Sequence, residues 1–380
     1  MEAGKEMKKK ALLIVAACAC FITGCGAEKS TENKMKITES LHSASGESVS
    51  CLASVFTTQD GLLHIFDPNQ KSSIVLCNKS NCEHEPYDEN TNPDPTCDAA
   101  LNKDLFFNCV PVISGEYVYL FGQADLSKGV VYREKLDGSG RTKLYNLDYQ
   151  VKVYNSVYVE NGIAYAEAGI PIVKEDNIGG AGSHSSYSVL LAINLESGET
   201  KEISDINKEK FHGLLLLEKS GEKLYYESTY RKLGKKDKDY STAKEYSKVY
   251  EYNIKTGKQS QVCSEKDLEG CIVIGMIVYN QETMEVFEVA IGSKKKKKIY
   301  KPDKTDVLYY TYKNHLIRGD MEKEKFYYLK DSAWEELEGI ASFTNTFGDF
   351  AEYYDKKNVL HVVYGDSLFK DQKKELFERK

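Results

Sequence analysis

Residues 106 to 145 read FFNCVPVISGEYVYLFGQADLSKGVVYREKLDGSGRTKLY, and the fold turns on the pattern they hold. Four runs rich in β-branched and aromatic residues, Phe106 to Ile113, Tyr117 to Phe121, Val130 to Leu136 and Arg141 to Tyr145, have the length and composition of strands. Ser114-Gly115 and Asp137-Gly138-Ser139-Gly140 separate the first pair and the last pair, and their glycines supply the backbone freedom that tight hairpins require. The stretch therefore predicts a four-stranded antiparallel meander. The pattern returns as Val151 to Val159, Asn161-Gly162, Ile163 to Glu167, a long loop, Ser188 to Asn194, Ser197-Gly198 and Glu199 to Ile203. It returns again as Gly213 to Leu217, Ser220-Gly221, Lys223 to Ser228, a long loop, Lys248 to Asn253, Thr256-Gly257 and Lys258 to Val262. The leading glycines fall at 115, 162 and 221, a period of about 50 that suits blades built of four strands.

Outward from this centre, Val49 to Phe56, Leu62 to Phe66 and Ser73 to Leu76 form a three-strand unit. Cys271 to Tyr279, Met284 to Ala290, Val307 to Tyr312, Phe326 to Leu329, Phe350 to Tyr354 and Val359 to Tyr364 follow with a less regular grammar. From Val49 to about Asp366 the chain resembles the β-propellers, broadly the TolB-type and related Tyr-rich lipoprotein propellers. The resemblance implies an all-β fold, a β-propeller of six to seven four-stranded blades in one domain over residues 49–370, with a polar tail at 371–380. A pair of β-sandwiches is the rival architecture. On the propeller reading, Val359 to Tyr364 is expected to complete the first blade and close the ring. In a meandering blade, the loop between its second and third strands shares a face with the crossing to the next blade. The long segments Ile170 to Tyr187, Tyr230 to Ser247 and Cys77 to Asp104 are then expected to crowd one face, where binding usually sits. Asp176, His184, Tyr187, Tyr230, Arg231 and Tyr240 are its candidate binding residues. Most of the 27 tyrosines are expected to pack between strands.

The N-terminus reads differently. Lys8-Lys9-Lys10 precedes an apolar run from Ala11 to Ile22, and Thr23-Gly24 then lead into Cys25. Twelve apolar residues make the hydrophobic region of an export signal and fall short of the roughly 20 that span a bilayer. Ile22-Thr23-Gly24-Cys25 resembles the lipobox of bacterial lipoproteins. The resemblance implies a signal peptide at 1–24, diacylglycerol on the Cys25 thiol, and attachment to the extracytoplasmic face of the cell membrane. Residues 25–48, polar and without apolar periodicity, then read as a flexible tether.

A chain of 380 residues, 41% hydrophobic, can bury a full core. Its formal charge of −7 argues against a nucleic-acid partner, which would require concentrated basic surface. The basic block Lys294 to Lys298 reads as a solvated hairpin or edge strand.

The most unusual local chemistry is Cys77-Asn78-Lys79-Ser80-Asn81-Cys82-Glu83-His84, followed by Cys97. Three thiols and an imidazole are a candidate zinc set, because thiolate and neutral imidazole are the donors that zinc favours. An exported chain can instead oxidise such cysteines to a disulfide, the leading reading here, or keep them as free thiols. Seven cysteines follow Cys25, so one chain cannot pair them all. Asp88, Asn90 and Asn92 hint at a calcium loop, but Pro93 and Ala99 stand where its glycine and bidentate glutamate belong. There is no metalloprotease helix, nucleophile elbow or P-loop, and no catalytic constellation is predicted. The expectation is a membrane-anchored binding or scaffold module for a glycan, a peptide or an envelope protein. A hydrolase or lyase acting on an extracellular polymer and an envelope-assembly component are the alternatives. If Cys25 carries the lipid, Cys25→Ser moves the protein from the membrane to the soluble fraction and abolishes metabolic labelling with a fatty-acid probe.

Overall fold

The computed structural model describes residues 41–42, 55–57, 61–67, 72–106, 109–124, 128–152, 157–171, 186–204, 212–232, 243–300, 307–313, 315–347, 350–364, 368–369 and 375–379. Cys25 and the expected signal peptide lie outside them. Among the described residues no helix is long and apolar enough to cross a membrane.

The described strands form seven antiparallel sheets in chain order, the expected propeller at the upper of its two blade numbers. After β1 (Leu41–His42), the first sheet holds β2 (Val55–Thr57), β3 (Leu63–Asp67) and β4 (Ser72–Val75). A helical turn, α1 (Lys103–Phe106), precedes the second sheet of β5 (Val110–Ser114), β6 (Tyr117–Gln123), β7 (Gly129–Lys135) and β8 (Thr142–Leu147). The third contains β9 (Gln150–Val151), β10 (Val157–Glu160), β11 (Ile163–Pro171), β12 (Ser186–Asn194) and β13 (Thr200–Glu202), and β1 joins it by pairing with β10. The fourth runs through β14 (His212–Ser220), β15 (Lys223–Lys232), β16 (Lys244–Asn253) and β17 (Lys258–Cys263). The fifth holds β18 (Cys271–Ile274), β19 (Ile277–Asn280), β20 (Glu285–Glu288) and β21 (Lys297–Lys298), and the sixth β22 (Val307–Tyr312), β23 (His315–Asp320), β24 (Lys325–Lys330) and β25 (Ala333–Leu337). The last contains β26 (Ile340–Phe347), β27 (Phe350–Asp355), β28 (Leu360–Tyr364) and β29 (Glu375–Arg379).

Side chains on a strand alternate between faces, and on inner strands such as β6 and β15 both faces are buried. Val118 and Leu120 of β6 enter the core shared with the first sheet, while Tyr119 and Phe121 enter the one shared with the third. Likewise Leu224 and Tyr226 of β15 face the third sheet and Tyr225 the fifth. Further cores join the fifth sheet to the sixth and the sixth to the last. Buried tyrosines bridge core and rim, as expected of packing residues: Tyr225 donates its hydroxyl to Glu251 at 3.0 Å and Tyr328 to Glu335 at 2.6 Å.

Four expectations change. The segment Val359 to Tyr364 does not complete the first sheet: β28 lies inside the last one, between β27 and β29. The expected polar tail supplies β29, because Glu375-Leu376-Phe377-Glu378 carries apolar residues that can join a ladder, and Phe377 pairs opposite Val362. Leu41–His42 of the expected tether pairs with β10. The run from Cys271 to Tyr279 is two strands, since Gly275 adopts φ +51° and turns the chain between them. The basic block ends in edge strand β21, as expected.

The turn between β7 and β8 carries Gly138 at φ +79°, where a side chain would run into the Leu76 carbonyl. Gly138→Ala is expected to destabilise the protein by roughly 2–4 kcal/mol through left-handed strain plus overpacking, measured by urea unfolding.

Candidate metal centre

Strand β4 ends at Val75, and Leu76 donates its N–H to the Leu63 carbonyl at 2.8 Å before the chain leaves the sheet. Cys77 therefore starts from a fixed point beside the Gly138 turn. Asn81 and His84 take left-handed backbone conformations at φ 60° and 56°, and the chain turns at Ser80-Asn81. The segment then closes on itself: Asp88 accepts from the N–H groups of Asn90 at 2.9 Å and Thr91 at 2.7 Å, and Asn92 donates to the Pro86 carbonyl at 2.7 Å. Those bonds engage the Asp88 carboxylate in an ordinary loop turn. The returning chain is anchored where Leu63 donates to the Ala99 carbonyl at 2.8 Å and Leu101 to the Gly61 carbonyl at 3.1 Å. Cys97, Ala99, Ala100 and Leu101 are thereby buried in the core between the first two sheets.

Cys77, Cys82, His84 and Cys97 converge, each offering one donor atom, and the four atoms lie within 4.8 Å of one another. His84 Nδ1 is 3.5 Å from Cys97 Sγ. Around a tetrahedral zinc, sulfurs stand about 3.8 Å apart and sulfur and nitrogen about 3.6 Å. Cys77, Cys82 and Cys97 are free cysteines in this structure, where a disulfide was the leading expectation, and the folding of the loop draws all three thiols and the imidazole to one point. Burial resists ionisation of Cys77, but backbone N–H groups of Lys79 and Asp98 and the neighbouring thiols outweigh it and lower its pKa. Burial pushes the Cys97 thiol up to about 12.

Beside the cluster lies a cavity of about 390 Å³, lined by Lys79, Asp94, Cys97, Asp98, Asn102 and Arg141, with Pro93 and Pro95 in its wall. Lys79 pairs with Asp98 at 2.8 Å. Arg141 donates from Nε to Glu134 at 2.6 Å and from Nη1 to the Ala100 carbonyl. The Glu134 carboxylate is fully buried and its Oε1 has no partner among the described residues, so desolvation outweighs Arg141 and raises its pKa to about 7.

Arg141, Glu134, Lys79 and Asp98 carry no expected role in the sequence, where Arg141 opens the fourth strand of the meander. One signal was present: Glu134 shares the parity of Val130 and Tyr132 along a strand, so it stands on an otherwise largely apolar face.

The loops expected on one face are divided. The cysteine loop lies against the β7–β8 turn, and Arg133, near that end of β7, pairs with Glu196 of the β12–β13 turn at 2.7 Å. It therefore shares the end of the sheets that carries the tight turns, opposite the β11–β12 hairpin end at Pro171 and Ser186. The reason is that β4 passes straight into the loop, with no fourth strand described between it and β5. Of the candidate binding residues, Asp176, His184 and Tyr240 lie outside the described residues, and Tyr187 pairs with Ile170 in the ladder. Tyr230 is buried, stacked on Tyr246 at 5.9 Å with its hydroxyl on Glu265, and Arg231 pairs with Glu245 at 3.1 Å.

No family model matches the chain, and no curated protein does. Solved structures with a similar outline include the Pyrococcus horikoshii acylaminoacyl peptidase, at 12% identity and a TM-score of 0.41 over 83% of this chain and 50% of that one. The β-propeller domain of the Trilobed protease from Pyrococcus furiosus gives 10% identity and a TM-score of 0.41 over 70% and 86%. An oligogalacturonate lyase from Vibrio parahaemolyticus gives 12% and 0.36 over 70% and 75%. The chain thus spans half the length of the acylaminoacyl peptidase, and likeness at this level carries no functional argument.

Glu134 holds its proton more tightly in the folded protein than in the unfolded chain, where it titrates near 4.5. Its contribution to stability is full below about 4.5 and is lost as the pH rises to about 7. Urea unfolding of wild type against Glu134→Gln across this window should show a wild-type excess loss on the order of 3 kcal/mol that the glutamine variant lacks.

Proposed function

We propose that the chain is a binding module held by lipid on Cys25 at the extracytoplasmic face of the membrane, and that it takes its ligand in the cavity beside the cysteine loop. The observation that carries this reading is the cavity itself, a concave site of about 390 Å³ on a loop packed against a rigid sheet, with charged and amide groups around proline walls. Its chemistry favours binding over turnover. Asp98 is committed to Lys79, and the Glu134 carboxyl is held beneath the site by Arg141, so no free pair of carboxylates faces the cavity in the manner of a glycosidase. A glycan or a peptide suits such a lining, since both present alternating donors and acceptors.

The test is an array of envelope glycans and peptides probed with the purified full-length protein, each hit also assayed for product formation. The expected result is saturable binding without turnover, weakened about tenfold by Asp94→Ala or Thr96→Ala, a change of about 1.4 kcal/mol. Both positions are exposed in the cavity wall, so neither change touches the core. Cleavage of a bound polymer would replace this reading with the hydrolase or lyase alternative.

A further inference from the structure

We infer that Cys77, Cys82, His84 and Cys97 bind one Zn²⁺ through three thiolates and the His84 Nδ1, as a closed structural centre that fixes the loop from Cys77 to Asn102 against the first two sheets. This stands on the donor geometry and is independent of what the neighbouring cavity binds.

Several observations converge on the metal. The four donor atoms are gathered within 4.8 Å, and the separation between His84 Nδ1 and Cys97 Sγ, 3.5 Å, is close to the tetrahedral value of about 3.6 Å. Two residues take left-handed conformations without being glycine: Asn81, just before the second ligand, and His84, the third ligand itself. Such conformations persist where the surroundings over-determine them, and a bound metal would do so here. Backbone N–H groups aim at the sulfurs: those of Lys79 and Asp98 at Cys77, and those of Ala99 and Ala100 at Cys97. This is the support that thiolate ligands need around a metal.

Charge and ligand softness narrow the choice. Three thiolates and one neutral imidazole around Zn²⁺ leave a single negative charge, and the Lys79 ammonium, paired with Asp98 at 2.8 Å, also lies near Cys77 and Cys82. Three sulfurs and one nitrogen in a tetrahedral arrangement favour zinc over magnesium or calcium, which take oxygen ligands. Four protein ligands also leave no open position for water or substrate, which makes the centre a staple with no hydrolytic role. The staple acts on a loop that buries little besides Cys97 and the residues just after it. From Cys97 its hold passes inward: Ala100 donates to the Cys97 carbonyl at 3.2 Å, and Arg141 joins the Ala100 carbonyl to buried Glu134.

The experiment uses the full-length protein purified without chelator. Elemental analysis should find one zinc per chain, and Co²⁺ exchanged into the site should give the intense visible bands of tetrahedral cobalt–thiolate. Cys82→Ser and Cys97→Ser should each lose the metal, whereas Cys271→Ser, outside the cluster, should keep it. Should the serine variants misfold, wild-type protein stripped with a chelator provides the second readout. Proteolysis within residues 77–102 should quicken at least tenfold, the body should retain its circular dichroism, and added Zn²⁺ alone should restore protection. Metal-free protein with two of Cys77, Cys82 and Cys97 joined in a disulfide would overturn the inference, as would zinc retained by both serine variants or weak octahedral cobalt bands.

Discussion

Burial on both faces of the sheets from the second to the sixth is the constraint from which the other features follow. A strand such as β6 has no solvent face to spend on polar residues, so Val118 and Leu120 fill one core while Tyr119 and Phe121 fill the next. Six such cores connect seven sheets in succession, each made by neighbours that cannot bury their own apolar surface alone. Buried charges inside the strands are few, among them Glu134, Glu167 and Arg318, and the cysteine loop lies among the connections at the strand ends.

The cysteine loop occupies one of those ends for a reason of close contact. Gly138 lets the β7–β8 turn press against the Leu76 carbonyl, and this approach sets the point from which Cys77 departs. The ligands then inherit their positions from hydrogen bonds on both sides, from Leu76 to Leu63 before the loop and from Leu63 to Ala99 after it. The cavity is a by-product of the same closure: its lining residues Lys79 and Asp98 are neighbours of the cluster, and Arg141 comes from the adjoining sheet.

The second, third and fourth sheets were legible because Gly115, Gly162 and Gly221 mark their first hairpins and lie at similar spacing. Beyond them the punctuation changes. Asn194 and Asn253 cap the turn after the third strand, whereas Asn280, Asp320 and Asp355 cap the turn after the second, so the repeated grammar no longer lines up. Strand β25 follows a turn at Asp331 and Ser332, both at positive φ without a glycine to announce it. Helical turn α1 replaced the start of an expected strand because Asn102 accepts the Asp104 N–H at 3.1 Å, a local cap inside an apolar context. At the candidate centre the ligand residues could be picked from their chemistry, but their place could not, since the contact between Gly138 and Leu76 joins residues far apart in the chain. Arg141 was hidden for the same reason.

The alternation along β6 also limits how such a chain can change over time. Inserting or deleting a single residue within that strand would exchange the Val118 and Tyr119 faces and spoil two cores together, whereas a substitution disturbs one. A change of length therefore costs more inside such a strand than between strands, which favours grafting into connections. A loop bearing its own ligands is well suited to such grafting, because it brings the means of its own folding and asks little of the sheets that receive it.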